Sequence, residues 1–160
     1  MFTRQRDICF GTLVAAACLL ASGCDTISRL TRVATLESLP SVDSMAAALR
    51  DSPSIRRVEH IQIPAVTAWS LSRGTIHRPA YDQFNYWGRD NSCGTVQARE
   101  EINGTKTLSL SSTWLNRVPK QSELQRARAM LAEVYANLRR HAPQLPPQSA
   151  LREDVLGIPQ

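Results

Sequence analysis

Three histidines, His60, His77 and His141, are the side chains best suited to metal binding or acid–base chemistry. Protein metal sites usually place their ligands at short, regular spacings, such as i and i+4 on a helix, because the ligands must share one face. No pair of these histidines has such a spacing. We therefore predict no metal site and no cofactor, and we expect His141, at the end of a helix, to interact with the helix dipole.

Cys93 is the candidate nucleophile, because it lies in the turn-like segment Asn91-Ser92-Cys93-Gly94. Catalysis would require His77 or His60 within hydrogen-bond reach of the thiol, and a third group that orients the base. The sequence contains no serine-hydrolase elbow, phosphate-binding glycine loop or zinc-protease motif. We predict that the chain is not an enzyme and has no catalytic residues, and we keep a Cys-dependent membrane-anchored enzyme as the alternative.

An aromatic segment is the candidate partner-binding site. Tyr81, Phe84, Tyr86 and Trp87 lie within seven residues and are followed by Arg89. Aromatic side chains and arginine are enriched at recognition surfaces. The other interpretation is a strand in which Phe84 and Tyr86 fill the core. The chain has only three Trp, three Tyr and three Phe residues, and a core that needs most of them favours the strand.

The N-terminal segment has the layout of a secretory signal, which we assign to residues 1–23. Arg4 and Arg6 precede an uncharged run from Ile8 to Ala21. This run is shorter than the roughly 20 apolar residues that a membrane-spanning helix needs. The stretch Leu20-Ala21-Ser22-Gly23-Cys24 resembles the lipobox of bacterial lipoproteins. The resemblance is confined to this segment and identifies no family for the rest of the chain.

The resemblance implies cleavage before Cys24, a diacylglyceryl group on its thiol and an amide-linked fatty acid such as palmitate. Two or more acyl chains give stable anchoring, whereas one binds a membrane only marginally. The implied location is the bacterial cell membrane, with the domain facing the periplasm and membrane lipid as a partner. Asp25 resembles an inner-membrane retention signal, which favours the inner membrane over the outer.

Cysteine and charge content limit the remaining functions. Cys9 and Cys18 would be removed with the signal, and Cys24 would be lipidated. Cys93 would then be the lone thiol, either buried or paired with a cysteine of another molecule. The chain has 19 Lys+Arg and 14 Asp+Glu residues and a formal net charge of +5. This mild excess suits anionic head groups. Because no basic stripe is interleaved with aromatic residues, we predict no nucleic-acid partner.

Local patterns predict the elements before the hairpin. Residues 24–40 are polar with scattered apolar residues, and we assign them to a lipid-anchored tether, either flexible or an amphipathic helical stretch near the membrane. A short helix begins at Ser41 and is closed by Pro53. Ile55 to Ile63 is typical of a strand, and Val66 to Leu71 resumes an extended pattern after Pro64.

The strongest turn signal is Asn103-Gly104, between two segments of strand character, 95–101 and 105–115. A two-residue loop would place Leu108 and Leu110 on the same face as Gln97 and Arg99. A three-residue loop over 102–104, with Gly104 in the left-handed conformation, unites the apolar residues on one face. This bulged hairpin pairs Val96 with Leu110, Ala98 with Leu108 and Glu100 with Lys106, and Trp114 continues the buried face.

A long helix is predicted from Gln121 to His141, with Ser122 and Gln125 as its capping box and Pro143 after its end. One face is apolar and should pack on the sheet; it contains Leu124, Ala127, Leu131, Val134 and Leu138. Residues 144–160 contain several prolines. We predict a flexible tail there, either extended or disordered, with a short turn over Leu151 to Leu156 as a further option.

The element order predicts an α+β domain over residues 41–143. A small antiparallel sheet with the bulged hairpin should pack against a long C-terminal helix and a short N-terminal helix. We predict a non-catalytic binding or assembly module, anchored through Cys24, that contacts an envelope protein through the aromatic segment or an exposed sheet edge. The alternatives are the Cys-dependent enzyme and an accessory lipoprotein of a secretion or toxin-immunity system.

Overall fold

The computed structural model describes residues 27–70 and 74–157; at residues 68–70, 74 and 76 it describes only the backbone. Two helices lie on one face of a six-stranded antiparallel sheet, and a separate two-stranded hairpin extends from it. The predicted α+β class is therefore confirmed. The strands are β1 (Ile27–Leu36), β2 (Ile55–Ile63), β3 (Val66–Ser70), β4 (Gly74–Arg78), β5 (Tyr81–Gly88), β6 (Cys93–Glu100), β7 (Lys106–Leu115) and β8 (Arg152–Leu156); the helices are α1 (Val42–Arg50) and α2 (Gln121–His141).

The large sheet has the strand order β2-β5-β6-β7-β1-β8. Its centre is the bulged hairpin of β6 and β7, whose register agrees with the prediction at all three pairs, Val96 with Leu110, Ala98 with Leu108 and Glu100 with Lys106. Gly104 has a φ of 81°, which glycine adopts without the steric cost of a Cβ. The predicted loop and its buried face are confirmed, and Trp114 is buried.

The longer helix α2 has the predicted bounds, and α1 starts directly after Ser41 and ends at Arg50, before Pro53; the cap of α2 differs from the prediction. Ser41 caps α1 by accepting a hydrogen bond from the Ser44 amide at 3.1 Å. The residue before α2 is Lys120, whose amide donates to the Glu123 carboxylate at 2.8 Å. Ser122 therefore lies inside the helix, because the capping pair is Lys120 and Glu123, two residues earlier than the predicted pair of Ser122 and Gln125.

The core lies between the two helices and the sheet face that they cover. Leu30, Leu108 and Leu110 from the sheet and Leu131 and Leu138 from α2 are all 0% exposed. A buried polar contact joins the helices, since the Asn137 amide nitrogen donates to the Ser52 hydroxyl at 2.8 Å. The predicted apolar face of α2 is confirmed as the core face.

The tether expected over residues 24–40 is wrong for residues 27–36. Residues 27–36 form β1, an interior strand that pairs with β7 on one side and β8 on the other. Leu30, Ala34 and Leu36 are buried in the core. Burial of these side chains and hydrogen bonding to two neighbours stabilise the segment in a way that its polar composition does not reveal.

The flexible tail expected from residue 144 is also corrected. Leu145 is buried, and the Tyr135 hydroxyl donates to the Pro146 carbonyl at 2.7 Å. A 3-10 turn (Gln148–Ala150) leads into β8, which forms the edge of the sheet beside β1. Glu153 of β8 also accepts from Arg128 of α2 at 2.8 Å, so the folded domain includes β1 and β8 in addition to the predicted range 41–143.

The second sheet is a hairpin of β3 and β4, inserted between β2 and β5. Pro64 and Pro79 lie where this hairpin joins the longer strands, and proline cannot donate to a strand ladder. The strand expected after Pro64 is thus present as β3; Leu71, its expected last residue, lies outside the described residues.

Candidate functional site

The sheet has one face that no described element covers, which we call the outer face. Strand alternation places on it Gln83 of β5, Thr95 and Gln97 of β6, and Ser109 and Thr113 of β7. These side chains are half-buried by one another rather than by a second layer. Thr95 and Ser111 also hydrogen-bond across the strands at 2.9 Å. The centre of the outer face consequently consists of uncharged polar groups.

The aromatic segment forms β5 and is divided between the two faces of the sheet. Phe84 and Tyr86 are 2% and 0% exposed in the core, so their assignment as partner-binding residues is corrected. Side chains in a strand alternate between faces, and these two occupy the apolar side. Tyr81 and Trp87 lie on the outer face and are half-buried. The structure therefore keeps only half of the aromatic set available for contact.

Guanidinium groups accompany both outer-face aromatic rings. The Arg57 guanidinium lies 4.6 Å from the Trp87 ring centroid, and that of Arg99 lies 5.8 Å from the Tyr81 ring centroid. Cations over aromatic faces are attracted by the ring quadrupole. The two outer corners of β5 thus present an aromatic ring with an arginine, a combination that suits anionic or polar partners.

Tyr86 is the buried polar group that joins the strands beneath the outer face. Its hydroxyl donates to the Ser111 carbonyl at 2.7 Å and lies 2.9 Å from the Ser112 hydroxyl. Burial raises the pKa of Tyr86 far above its usual range, which keeps the phenol neutral. A Cβ on Gly94 would lie 2.5 Å from the Tyr86 hydroxyl oxygen. Gly94 is therefore required because the Tyr86 side chain covers it.

Arg89, the last residue of the predicted partner-binding set, lies past the end of β5. Its Nε donates to the Pro53 carbonyl at 2.8 Å, and the side chain lines a surface groove with Asp90, Arg126 and Glu133. Burial raises the pKa of Asp90, but hydrogen bonds from Ser92 outweigh it, and the net shift is downward. The groove lies between the β5–β6 turn and α2, which are joined by the Ser92 hydroxyl 3.6 Å from the Met130 sulfur.

Cys93 lies on the outer face, half-buried, rather than in the core. Its sulfur lies 3.6 Å from the Thr113 carbonyl oxygen, to which the thiol donates. No histidine contacts it among the described residues. His60 lies two strands away and pairs with Asp82 at 2.8 Å, while His77 bonds to Thr67 in the β3–β4 hairpin. The structure does not bring the predicted nucleophile and bases together.

The third histidine, His141, lies at the end of α2, where its Nε2 is 2.7 Å from a carboxylate oxygen of Asp51. The three imidazoles thus have separate partners in separate parts of the fold. Within residues 27–70 and 74–157, no group of three or more His, Cys, Asp or Glu side chains is arranged to hold a metal ion.

Sequence reasoning missed a group of exposed apolar residues at one end of the sheet, where β1 begins and β7 and β8 end. Ile27 and Leu115 are cross-strand partners, and Leu156 pairs with Arg29. The sequence pattern did not indicate this group, because it predicted a tether at Ile27 and a flexible tail at Leu156. The proposed lipidation site, Cys24, lies outside the described residues, three positions before Ile27 in the sequence.

Within the described part of the chain, neither helix has the length and apolar character needed to cross a membrane. None of the protein-family models, curated proteins or solved structures compared with this chain matches it.

Proposed function

We propose that the protein is a lipid-anchored component of the bacterial envelope whose α+β domain is a non-catalytic binding or assembly module. The anchor is the acylated Cys24, and the domain faces the periplasm. The lipobox-like stretch supports the anchor, since small residues directly precede the cysteine at the end of a secretory signal. The uncovered outer face of the sheet is the observation that supports the binding role.

The composition of the outer face favours contact with a protein. The solvated face of an antiparallel sheet is commonly polar, and the centre of this one is built from Thr, Ser, Gln and Asn without charged side chains. Such side chains hydrogen-bond to a partner without the desolvation cost of a charge. Tyr81 and Trp87, each beside an arginine, border this polar centre and supply the apolar contact area.

The catalytic alternative has less support from the contacts. The thiol of Cys93 donates to a backbone carbonyl, and the nearest candidate bases have other partners. A nucleophilic cysteine needs a base within hydrogen-bond reach and a third group to orient it. The binding role requires no such rearrangement of the site.

Fractionation of cells that produce the full chain tests the anchor. Wild-type protein should remain in the membrane fraction after alkaline extraction, whereas Cys24→Ala should be released or should persist as an uncleaved precursor. Cys93→Ser is the matched control and should fractionate as wild type. Release of the wild-type protein by alkali would refute the anchor.

Photo-crosslinking in cells tests the binding role. A photoreactive residue in place of Gln97, at the centre of the outer face, should form an adduct with an envelope protein. The same residue in place of Ala136, exposed on α2, should not. Gln83→Arg, which places a charge directly opposite position 97, should abolish the adduct. Adducts from position 136 alone, or from neither position, would contradict the proposal.

A further inference from the structure

We propose that the anchor end of the sheet is a membrane-contact surface that rests on the bilayer beside the acyl chains. We define the anchor end as Ile27, Arg29, Leu115, Val118 and Leu156. This inference deepens the proposed function and rests on lipidation of Cys24, but it makes a separate claim about which part of the folded domain touches lipid.

The length of the connecting chain restricts where the domain can lie. Ile27 is the first residue of β1, three positions after Cys24. Three residues span at most about 11 Å even when fully extended. The start of β1 must therefore remain within that distance of the acylated cysteine, at the membrane surface. A flexible tether, as the sequence suggested, would have imposed no such restriction.

The residues brought to this surface are unusually apolar for exposed positions. Ile27 is 39% exposed, Val118 50%, Leu115 61% and Leu156 62%. Strand register places Ile27, Leu115 and Leu156 on the outer face, on three neighbouring strands. Val118 lies in the loop that follows β7. Ile27 and Leu115 are directly paired, and such residues have Cβ atoms about 5 Å apart. Leu156 pairs with Arg29 and is therefore the diagonal neighbour of Ile27, at about 7–8 Å. These three side chains thus lie together at one end of the outer face.

Basic and aromatic side chains lie beside the apolar patch. Arg29 lies between Thr113 of β7 and Leu156 of β8 in the same cross-strand row. Further along that row, Trp87 pairs with Arg57 and is covered by its guanidinium. Tryptophan is enriched at the membrane–water interface, and each basic residue near an anionic leaflet contributes about 1 kcal/mol. This combination matches the chemistry of a bilayer surface.

The opposite end of the sheet has a different character. Charged residues of both signs lie there: Glu37 follows β1, Glu100 at the end of β6 is paired with Lys106, and Glu101 forms an ion pair with Arg99. Ile102 in that loop is 57% exposed but belongs to no such row. The ten residues of β7 separate the two ends by about 30 Å. Ile102 is thus an exposed apolar residue matched to Leu115 in size but not in location.

Spin-label depth measurements on the full lipidated chain test this inference. Nitroxides would be attached to Leu115→Cys, Leu156→Cys and Ile102→Cys, each in a Cys93→Ser background, after reconstitution into vesicles of phosphatidylethanolamine and phosphatidylglycerol. Accessibility to molecular oxygen, which concentrates in lipid, is compared with accessibility to a water-soluble nickel chelate. We expect the ratio of oxygen accessibility to nickel-chelate accessibility to be at least about tenfold higher for the labels at 115 and 156 than for the label at 102. The reason is that transfer of apolar groups from water into lipid is favourable.

The outcomes separate this inference from the anchor itself. Failure of all three proteins to float with the vesicles would overturn the anchor and with it this proposal. Flotation with all three labels equally accessible to nickel would overturn only the membrane-contact surface. Labels at 115 and 156 that are shielded from both relaxing agents would indicate a protein contact instead, and would also overturn it.

Discussion

The two faces of the same six strands differ in what they contribute. On the inner face, Leu108 and Leu110 of β7 are fully buried against the helices. On the outer face of that strand, Ser109 and Thr113 are half-buried and meet no second layer. The inner face therefore carries the folding free energy. The outer face contributes less to folding and is polar at its centre, whereas its apolar side chains lie towards the borders. These are Ile27, Leu115 and Leu156 at the anchor end, Val33 on β1, and Ile61 and Ile63 on β2.

The largest expected difference between the faces comes from truncation of adjacent residues on β7. Leu110→Ala should lower the free energy of unfolding by about 2–5 kcal/mol, because it removes buried contacts and leaves a cavity. Ser109→Ala, one position away on the outer face, should change it by less than about 0.5 kcal/mol. Urea denaturation of the two variants measures both changes. Equal decreases in the free energy of unfolding would show that the two faces do not differ in their contribution to stability.

A smaller effect is expected where the inner face requires a glycine. Gly94→Ala should cost about 1–3 kcal/mol, because the new methyl group meets the Tyr86 side chain and the Ser111 carbonyl, and a packed core resists added volume. Thermal unfolding followed by circular dichroism measures the loss. An unchanged midpoint would mean that Tyr86 does not pack over Gly94 as described.

The smallest predicted effect concerns β8 and depends on pH. Glu153, on the inner face, accepts from Arg128 at 2.8 Å, which lowers the pKa of Glu153 below its usual range despite partial burial; Arg32 adds to the effect. In the unfolded chain the pKa of a glutamate is about 4.3, and above that pH the ionised Glu153 carboxylate stabilises the fold. This contribution is lost as the pH falls through the lower pKa of Glu153 in the folded state. Glu153→Gln should be less stable than wild type at neutral pH, by up to about 1 kcal/mol.

The difference between wild type and Glu153→Gln should shrink as the pH is lowered from about 5 towards 3, a range that follows from the usual glutamate pKa. Asp154→Asn is the outer-face control, since Asp154 pairs only with Arg152 of the same strand in the part of the chain that is described. A constant difference between wild type and Glu153→Gln across this range would contradict the role assigned to this carboxylate.

Local signals in the sequence were sufficient for the elements whose partners are near in the chain. The Asn103-Gly104 turn and alternating apolar residues fixed the β6–β7 register, and periodicity located α2 from Gln121 to His141. The same reasoning failed for β1 and β8. Apolar residues at three-residue spacing concealed the strand period of β1, and Ser28 donates to Gly157, 129 positions away. Such long-range pairing leaves no local pattern.

The candidate site was predictable only in part for the same reason. Alternation within β5 could indicate that Phe84 and Tyr86 share one face, but not which face the helices cover. The anchor end was invisible in the sequence, because it forms only when the start of β1 meets the ends of β7 and β8. Recognition of β1 as a strand is what places the folded domain directly beside the proposed lipid.

Lipidation of Cys24 is measured most directly by the intact mass of the membrane-extracted protein. We expect a chain that begins at Cys24, with added mass equal to a diacylglyceryl group and an amide-linked fatty acid. Cys24→Ala should never show that added mass. An unmodified wild-type chain that begins at the same residue and is freely soluble would refute the lipid anchor, and would leave Cys24 and Cys93 available to form a disulfide.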